Sequence, residues 1–159
     1  AVHALLASVL WWDSGDAASW SERQRAAGHS EAAVTETLAC LNATGTRAVF
    51  SPPPDSAADV WRERMFEVIL DDAWVTGLLD RVCVLRDARG AVTRVDVYDF
   101  KTDRLADATD PARELRTRYS AQMQLYRRAA AILCGAPLAS VRCLLVPTSG
   151  AFDPVEVCP

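Results

Sequence analysis

Lysine is nearly absent from this sequence. Of its 17 basic residues, 16 are Arg and one is Lys101. Lys carries a compact ammonium whose proton affinity its surroundings can tune, so a chain that uses Arg everywhere else keeps Lys101 for a reason. No C-x-x-C pair occurs among Cys40, Cys83, Cys134, Cys143 and Cys158, and their number is odd. That pattern argues against a zinc or iron–sulfur site built from them and reads them as small apolar fillers in a reducing setting. No apolar run reaches the roughly 18 residues that a membrane span needs. The opening stretch Ala1–Trp12 is mostly apolar but has no basic flank, and Asp13 and Asp16 follow at once. It reads as a buried helix rather than a signal peptide. No G-x-x-x-x-G-K loop is present, so any nucleotide-driven motor is expected outside this chain. There is also no initiator Met, and the chain opens inside a predicted helix, so it is expected to be a fragment of a longer protein. Net positive charge is lacking too. A formal charge of −4 excludes a purely electrostatic nucleic-acid binder. It does not exclude an enzyme that gathers carboxylates at a metal and places its basic residues elsewhere.

What is there suits a soluble globular fold. The 159 residues are half apolar and 24% charged, enough for one domain with a sizeable core. Ala1–Trp12 reads as a helix with His3, Leu6 and Leu10 on one face. The polar segment Asp13–Gly28 is broken by glycine. A second helix runs from Ser30, its cap, to about Asn42. Ser51-Pro52-Pro53-Pro54-Asp55 is a stiff joint within the one domain. Three strands follow: Phe66–Leu70, Trp74–Leu85 and Ala91–Lys101. Asp71-Asp72 turns the first pair, and Asp87–Gly90 connects the second. After a polar stretch, Thr102–Asp110, a helix starts at Pro111 and ends near Cys134, with Gly135 as its cap. Met123, Leu125, Ala129 and Ile132 are its expected core-facing stripe. Val141–Val146 is a buried strand, and Val155–Val157 adds an edge strand. Helices, a meander, a long helix and a strand imply a mixed sheet with helices packed on it, α/β or α+β.

The chemistry gathers in the meander. Asp99 and Lys101 stand two apart on one strand, so they share a face. Asp80 lies on the preceding strand, at almost the same distance from the hairpin turn as Asp99. Antiparallel pairing brings the two carboxylates together, where they repel unless a divalent cation joins them. On the long helix, Tyr119, Gln122 and Tyr126 fall at i, i+3 and i+7, a polar stripe with two aromatics. From Arg113 to Arg128 the helix carries five Arg against Glu114, a net +4. Arg clusters suit phosphate, though each single Arg reads better as part of a solvated face.

Gly77-x-x-Asp80, then Asp99-Phe100-Lys101-Thr102-Asp103, then Tyr119-x-x-Gln122-x-x-x-Tyr126 resembles the RecB-type branch of the PD-(D/E)XK nuclease superfamily. It is most similar to the C-terminal nuclease domain of AddA/RecB-type helicase–nucleases. The resemblance runs from about Val60 to Val146, and His3 extends it to the first helix. It implies a restriction-endonuclease-like α/β core, a central mixed sheet flanked by helices. It also implies one nuclease domain over 1–159, helical over 1–50 and with its core at 60–159.

By the same resemblance, Asp80, Asp99 and His3 hold Mg²⁺ or Mn²⁺ together with the Phe100 backbone carbonyl, and Lys101 is the catalytic lysine. Gln122 and Tyr126 position the strand or support the lysine. Glu63 and Tyr119 are further candidates at the site, and Arg116, Arg118 and Arg127 are candidate DNA contacts. The implied activity is hydrolysis of DNA phosphodiesters during double-strand-break end processing, in the cytoplasm of a bacterium. The implied partners are DNA single strands or duplex ends, the parent's helicase domains and an AddB/RecC-like second subunit, with no membrane. Cys134, Cys143 and Cys158 are spaced too widely for the iron–sulfur cluster of the neighbouring branch, so none is expected. Two alternatives stand beside this reading: a non-catalytic DNA-binding or assembly module with the same fold, and a stand-alone phage-type exonuclease.

Overall fold

The computed structural model describes residues 1–54, 57–103, 109–150 and 152–158. Asp55 of the proline joint and residues 104–108 of the polar stretch fall outside this set. The chain forms two compact units. One comprises Ala1–Pro52, Phe100–Arg104 and Val146–Pro154, and the other Pro53–Asp99, Leu105–Leu145 and Val155–Pro159. Among the described residues, no helix is long and apolar enough to cross a membrane.

The first unit is helical: α1 (Val2–Ala7), α2 (Ala17–Ala26), α3 (Glu31–Asn42) and the single turn α4 (Arg47–Phe50). The expected helix over Ala1–Trp12 stops at Ala7. There the Ser8 hydroxyl donates back to the Leu5 carbonyl at 2.6 Å, and further on the Trp12 amide donates to the Phe50 carbonyl at 2.9 Å. Leu10, expected on the buried face, is exposed as a result. The polar segment Asp13–Gly28 contains α2, which composition alone does not signal because it buries only Trp20 and Ser21. The start of α3 follows the expectation, with the Ser30 hydroxyl accepting from the Ala33 amide. Leu5, Leu6, Val34, Cys40, Leu41 and Phe50 form the core of this unit.

Cys40 supplies a pH handle. Burial, with the charge of Glu36, pushes its thiol up to about 12. Above pH 9 the unfolded chain releases this proton while the folded chain keeps it. Stability therefore falls as pH rises through that window, by up to about 4 kcal/mol from this group. Urea midpoints measured from about pH 8.5 to about pH 11 should decline, and Cys40→Ala should flatten the decline.

The second unit contains the greater part of a mixed five-stranded sheet, ordered β1-β2-β3-β4-β5. The strands are β1 (Ala57–Leu70), β2 (Ala73–Arg86), β3 (Val92–Lys101), β4 (Val141–Pro147) and β5 (Val155–Cys158). β1, β2 and β3 form the expected antiparallel meander, and β4 pairs antiparallel with β5. The last two residues of β3 and of β4 belong to the first unit. β1 is nearly three times as long as its hydrophobic alternation suggests, because Ala57–Met65 has no buried residue and carries no pattern to read. Asp71 and Asp72, at φ 51° and 61°, form the left-handed two-residue turn that matches the twist of a hairpin.

The helix α5 (Pro111–Cys134) has the expected ends. The Asp110 carboxylate accepts from the Arg113 amide at 3.0 Å, and Gly135 closes the helix at φ 61°. Its buried residues are Leu115, Met123, Ala129 and Ala130, whereas Ile132 is 55% exposed and Leu125 only half-buried. At 100° per residue this face centres on Tyr119, Gln122 and Tyr126. The polar stripe therefore points inward, and Leu125 and Ile132 are swung to its margin.

Candidate active site

The register of β2 on β3 builds the site. Arg81 faces Tyr98, Val82 faces Val97, Cys83 faces Asp96 and Val84 faces Val95. Alternation puts Val82, Val84, Val95 and Val97, all fully buried, on one face. One step beyond Arg81 and Tyr98 in the same register stand Asp80 and Asp99, so this apolar wall ends in two carboxylates. Asp80 is 7% exposed and Asp99 is 4% exposed.

Glu63 adds a third. Its neighbours Arg62 and Arg64 pair with Arg81 and Leu79, which leaves Glu63 across from Asp80 with φ 48°. A positive φ at a non-glycine residue is strained, and such strain concentrates at functional sites. Glu63 and Asp80 each place a carboxylate oxygen within 4.8 Å of the other. Glu63 and Asp80 offer oxygen donors, the chemistry that suits a hard divalent cation.

The helix motif reaches the same end of the sheet. Gln122 donates to the Tyr126 hydroxyl oxygen at 3.1 Å. The Tyr126 ring meets Phe66 edge to face at 5.7 Å. Burial raises the proton affinity of the Tyr126 hydroxyl. The hydrogen bond from Gln122 works against this, and the charges of Asp99 and Asp80 add to the rise. The hydroxyl thus lies within the field of both carboxylates and keeps its proton.

The reverse face of β2 and β3 carries a polar cluster that the sequence motifs do not include. Asp96, 1% exposed, accepts from Arg142 at 2.8 Å and from Arg94 at 3.0 Å, with the Tyr98 hydroxyl at 3.5 Å. Arg81, also 1% exposed, lies beside it, its proton affinity lowered by burial. The alternation Val95-Asp96-Val97-Tyr98-Asp99 contained the signal, with Asp96 and Tyr98 on the face that Asp99 avoids.

No family model matches the chain. A stretch of 55 residues is 42% identical to part of an ATP-dependent helicase/nuclease subunit from Anoxybacillus flavithermus. The match covers 35% of this chain and 4% of that relative.

The other expected residues are placed as follows. His3, Phe100 and Lys101 belong to the first unit. There Phe100, 2% exposed, stacks on Phe50 at 5.9 Å and meets His3 edge-on at 6.1 Å. Lys101 is the last residue of β3. Its carbonyl accepts from the Thr148 amide. Tyr119 is half-buried on α5. Of the candidate DNA contacts, Arg118 pairs with Glu114 at 2.6 Å. Arg116 donates to the Glu156 carbonyl, and Arg127 to the Val141 carbonyl. Arg116 and Arg118 are exposed, whereas Arg127 is half-buried, its guanidinium tying α5 to β4.

Proposed function

We propose that this chain is a divalent-metal-dependent nuclease module that hydrolyses DNA phosphodiesters. The observation that carries the reading is the pair of buried carboxylates, Asp80 and Asp99, at facing strand positions and within the field of the Tyr126 hydroxyl. Like charges placed side by side repel, and Mg²⁺ or Mn²⁺ would turn the two carboxylates into a ligand set. Asp80 and Asp99 would hold the ion, with Glu63 as a third oxygen donor, and the resemblance adds His3 and the Phe100 carbonyl to this set. When bound, the cation supplies a water of lowered pKa and a Lewis acid for the phosphoryl oxygen.

The remaining roles belong to the side chains. The Lys101 ammonium offsets the negative charge that grows on the phosphate. Because Gln122 already donates to the Tyr126 oxygen, the Tyr126 proton can be donated to a phosphate oxygen. The short match to a helicase/nuclease subunit supports a place in DNA-end processing, beside helicase domains and a second subunit.

The test is cleavage of linear and circular, single- and double-stranded DNA with Mg²⁺, Mn²⁺ or EDTA. Cleavage should require metal, and Lys101→Ala should lower it by about 10²–10³-fold, the scale of one lost charge-stabilising donor. Lys101→Arg should not restore it, since a guanidinium fork cannot take the place of a point charge. A folded chain that neither binds metal nor cleaves would instead support the non-catalytic module.

A further inference from the structure

The first unit holds a cavity of about 220 Å³ that the hydrolytic residues do not use. Trp12, Asp13, Ser14, Asn42, Arg47 and Ser51 line it. Ligand pockets for drug-sized molecules run from about 300 Å³ upward, so this one has room for a single planar ring and one small polar group.

Its aromatic wall is fixed in advance. The Trp12 indole N–H donates to Asn42 Oδ1 at 3.0 Å, and its ring meets Trp20 edge to face at 5.7 Å. The Trp12 backbone amide donates to the Phe50 carbonyl, which seats it beside Ser51. Trp12 remains half-exposed, so part of the ring is open to a stacking partner. Arg47 is exposed and, among the described residues, makes no ion pair. The Asn42 oxygen is taken by the indole, which leaves its amide NH₂ to donate to a base carbonyl or ring nitrogen. One Asp13 oxygen accepts from the Gly15 amide, and its carboxylate can also take an exocyclic amine. An open indole, an uncommitted guanidinium and amide-type donors and acceptors match a nucleotide in each of its parts.

We propose that this cavity takes the base of one pyrimidine nucleotide of a DNA single strand, the single ring stacked on Trp12 and the phosphate outside it on the exposed Arg47. The choice of DNA rests on the nuclease reading; the geometry of the cavity does not.

Binding is measured on the whole chain in EDTA, by fluorescence anisotropy of a labelled oligodeoxycytidylate, whose base is a single ring with a carbonyl and an exocyclic amine. Arg47→Ala and Trp12→Leu should each weaken binding by about tenfold, within the range for a lost stacking or cation contact to one nucleotide. Arg47→Ala should also lower the slope of log affinity against log salt by about one. Arg47 is exposed, so that variant keeps its fold and decides the matter even if Trp12→Leu does not. Wild-type binding by both folded variants would overturn the proposal. So would competition by polyglutamate as strong as by unlabelled oligonucleotide, since the site would then read only charge. EDTA removes cleavage from the assay. Absence of cleavage by the wild type in metal therefore refutes only the nuclease reading, and wild-type affinity in both variants refutes only this one.

Discussion

Asp99→Asn should stabilise the metal-free chain and abolish its metal-dependent cleavage. The two effects share one cause. Asp80 and Asp99 are both more than nine-tenths buried and stand one step beyond the Arg81–Tyr98 pair, where the register of β2 and β3 continued would set them facing. Facing side chains of paired strands come within about 5 Å of one another. Two unit charges at that distance repel by about 3 kcal/mol at an effective dielectric near 20. Asn keeps the shape and removes the charge, so the repulsion goes and the melting temperature without metal rises. The same change takes away a ligand. Added Mg²⁺ should raise the melting temperature of the wild type, by a stabilisation that grows with the logarithm of its concentration above Kd, and leave the variant unmoved. Cleavage should fall by about 10³-fold or more, the scale seen when a charge-stabilising element of a site is lost. Asp80→Asn should behave alike. A variant that is less stable than the wild type and still cleaves would mean that these carboxylates are structural.

The facing of Asp80 and Asp99 was legible in the sequence because β-hairpins preserve distance from the turn. Counting outward from Asp87–Gly90 puts Asp80 seven residues from the turn and Asp99 nine, and the register shift between Leu85 and Arg86 helps to bring them level. The ends of α5 were legible for a similar reason, since Asp110, Pro111 and Gly135 act locally. Its buried face was not. Assigning the core to Met123, Leu125, Ala129 and Ile132 supposes that polar residues turn outward. Tyr119, Gln122 and Tyr126 are amphipathic enough to sit at the centre of the buried face, and Ile132 is displaced into solvent. α2 escaped because a helix that buries one Trp and one Ser has almost no hydrophobic period. Glu63 was a candidate by position only. Its left-handed backbone, which sets it against Asp80, is imposed by the pairing on either side and has no local signature. The Asp96 cluster depends on Arg142 of β4, 46 residues away in sequence.

Gly77→Ala should impair the site from outside it. Gly77 opens the stretch that ends in Asp80, and it lies opposite Phe66 on β1. A methyl group there would sit 2.6 Å from two carbons of the Phe66 ring and 3.3 Å from the Tyr126 ring. The first distance is far inside contact, so Phe66 must move. Phe66 is 6% exposed and packs edge to face on Tyr126, so its displacement is passed to the hydroxyl that lies near Asp80 and Asp99. Overpacking of this kind costs about 1–3 kcal/mol. A shift of about 1 Å at a positioning group lowers turnover by about 10²-fold. The steric cause can be separated from a loss of backbone freedom. Phe66→Leu removes the ring that the methyl strikes, so the double variant Phe66→Leu/Gly77→Ala should be more stable than the sum of the single costs allows. The same pair should not regain turnover, because a leucine in place of Phe66 cannot hold the Tyr126 ring. Additive costs in stability would locate the need for glycine in the β2 backbone, and recovery of turnover would show that Phe66 does not act through Tyr126.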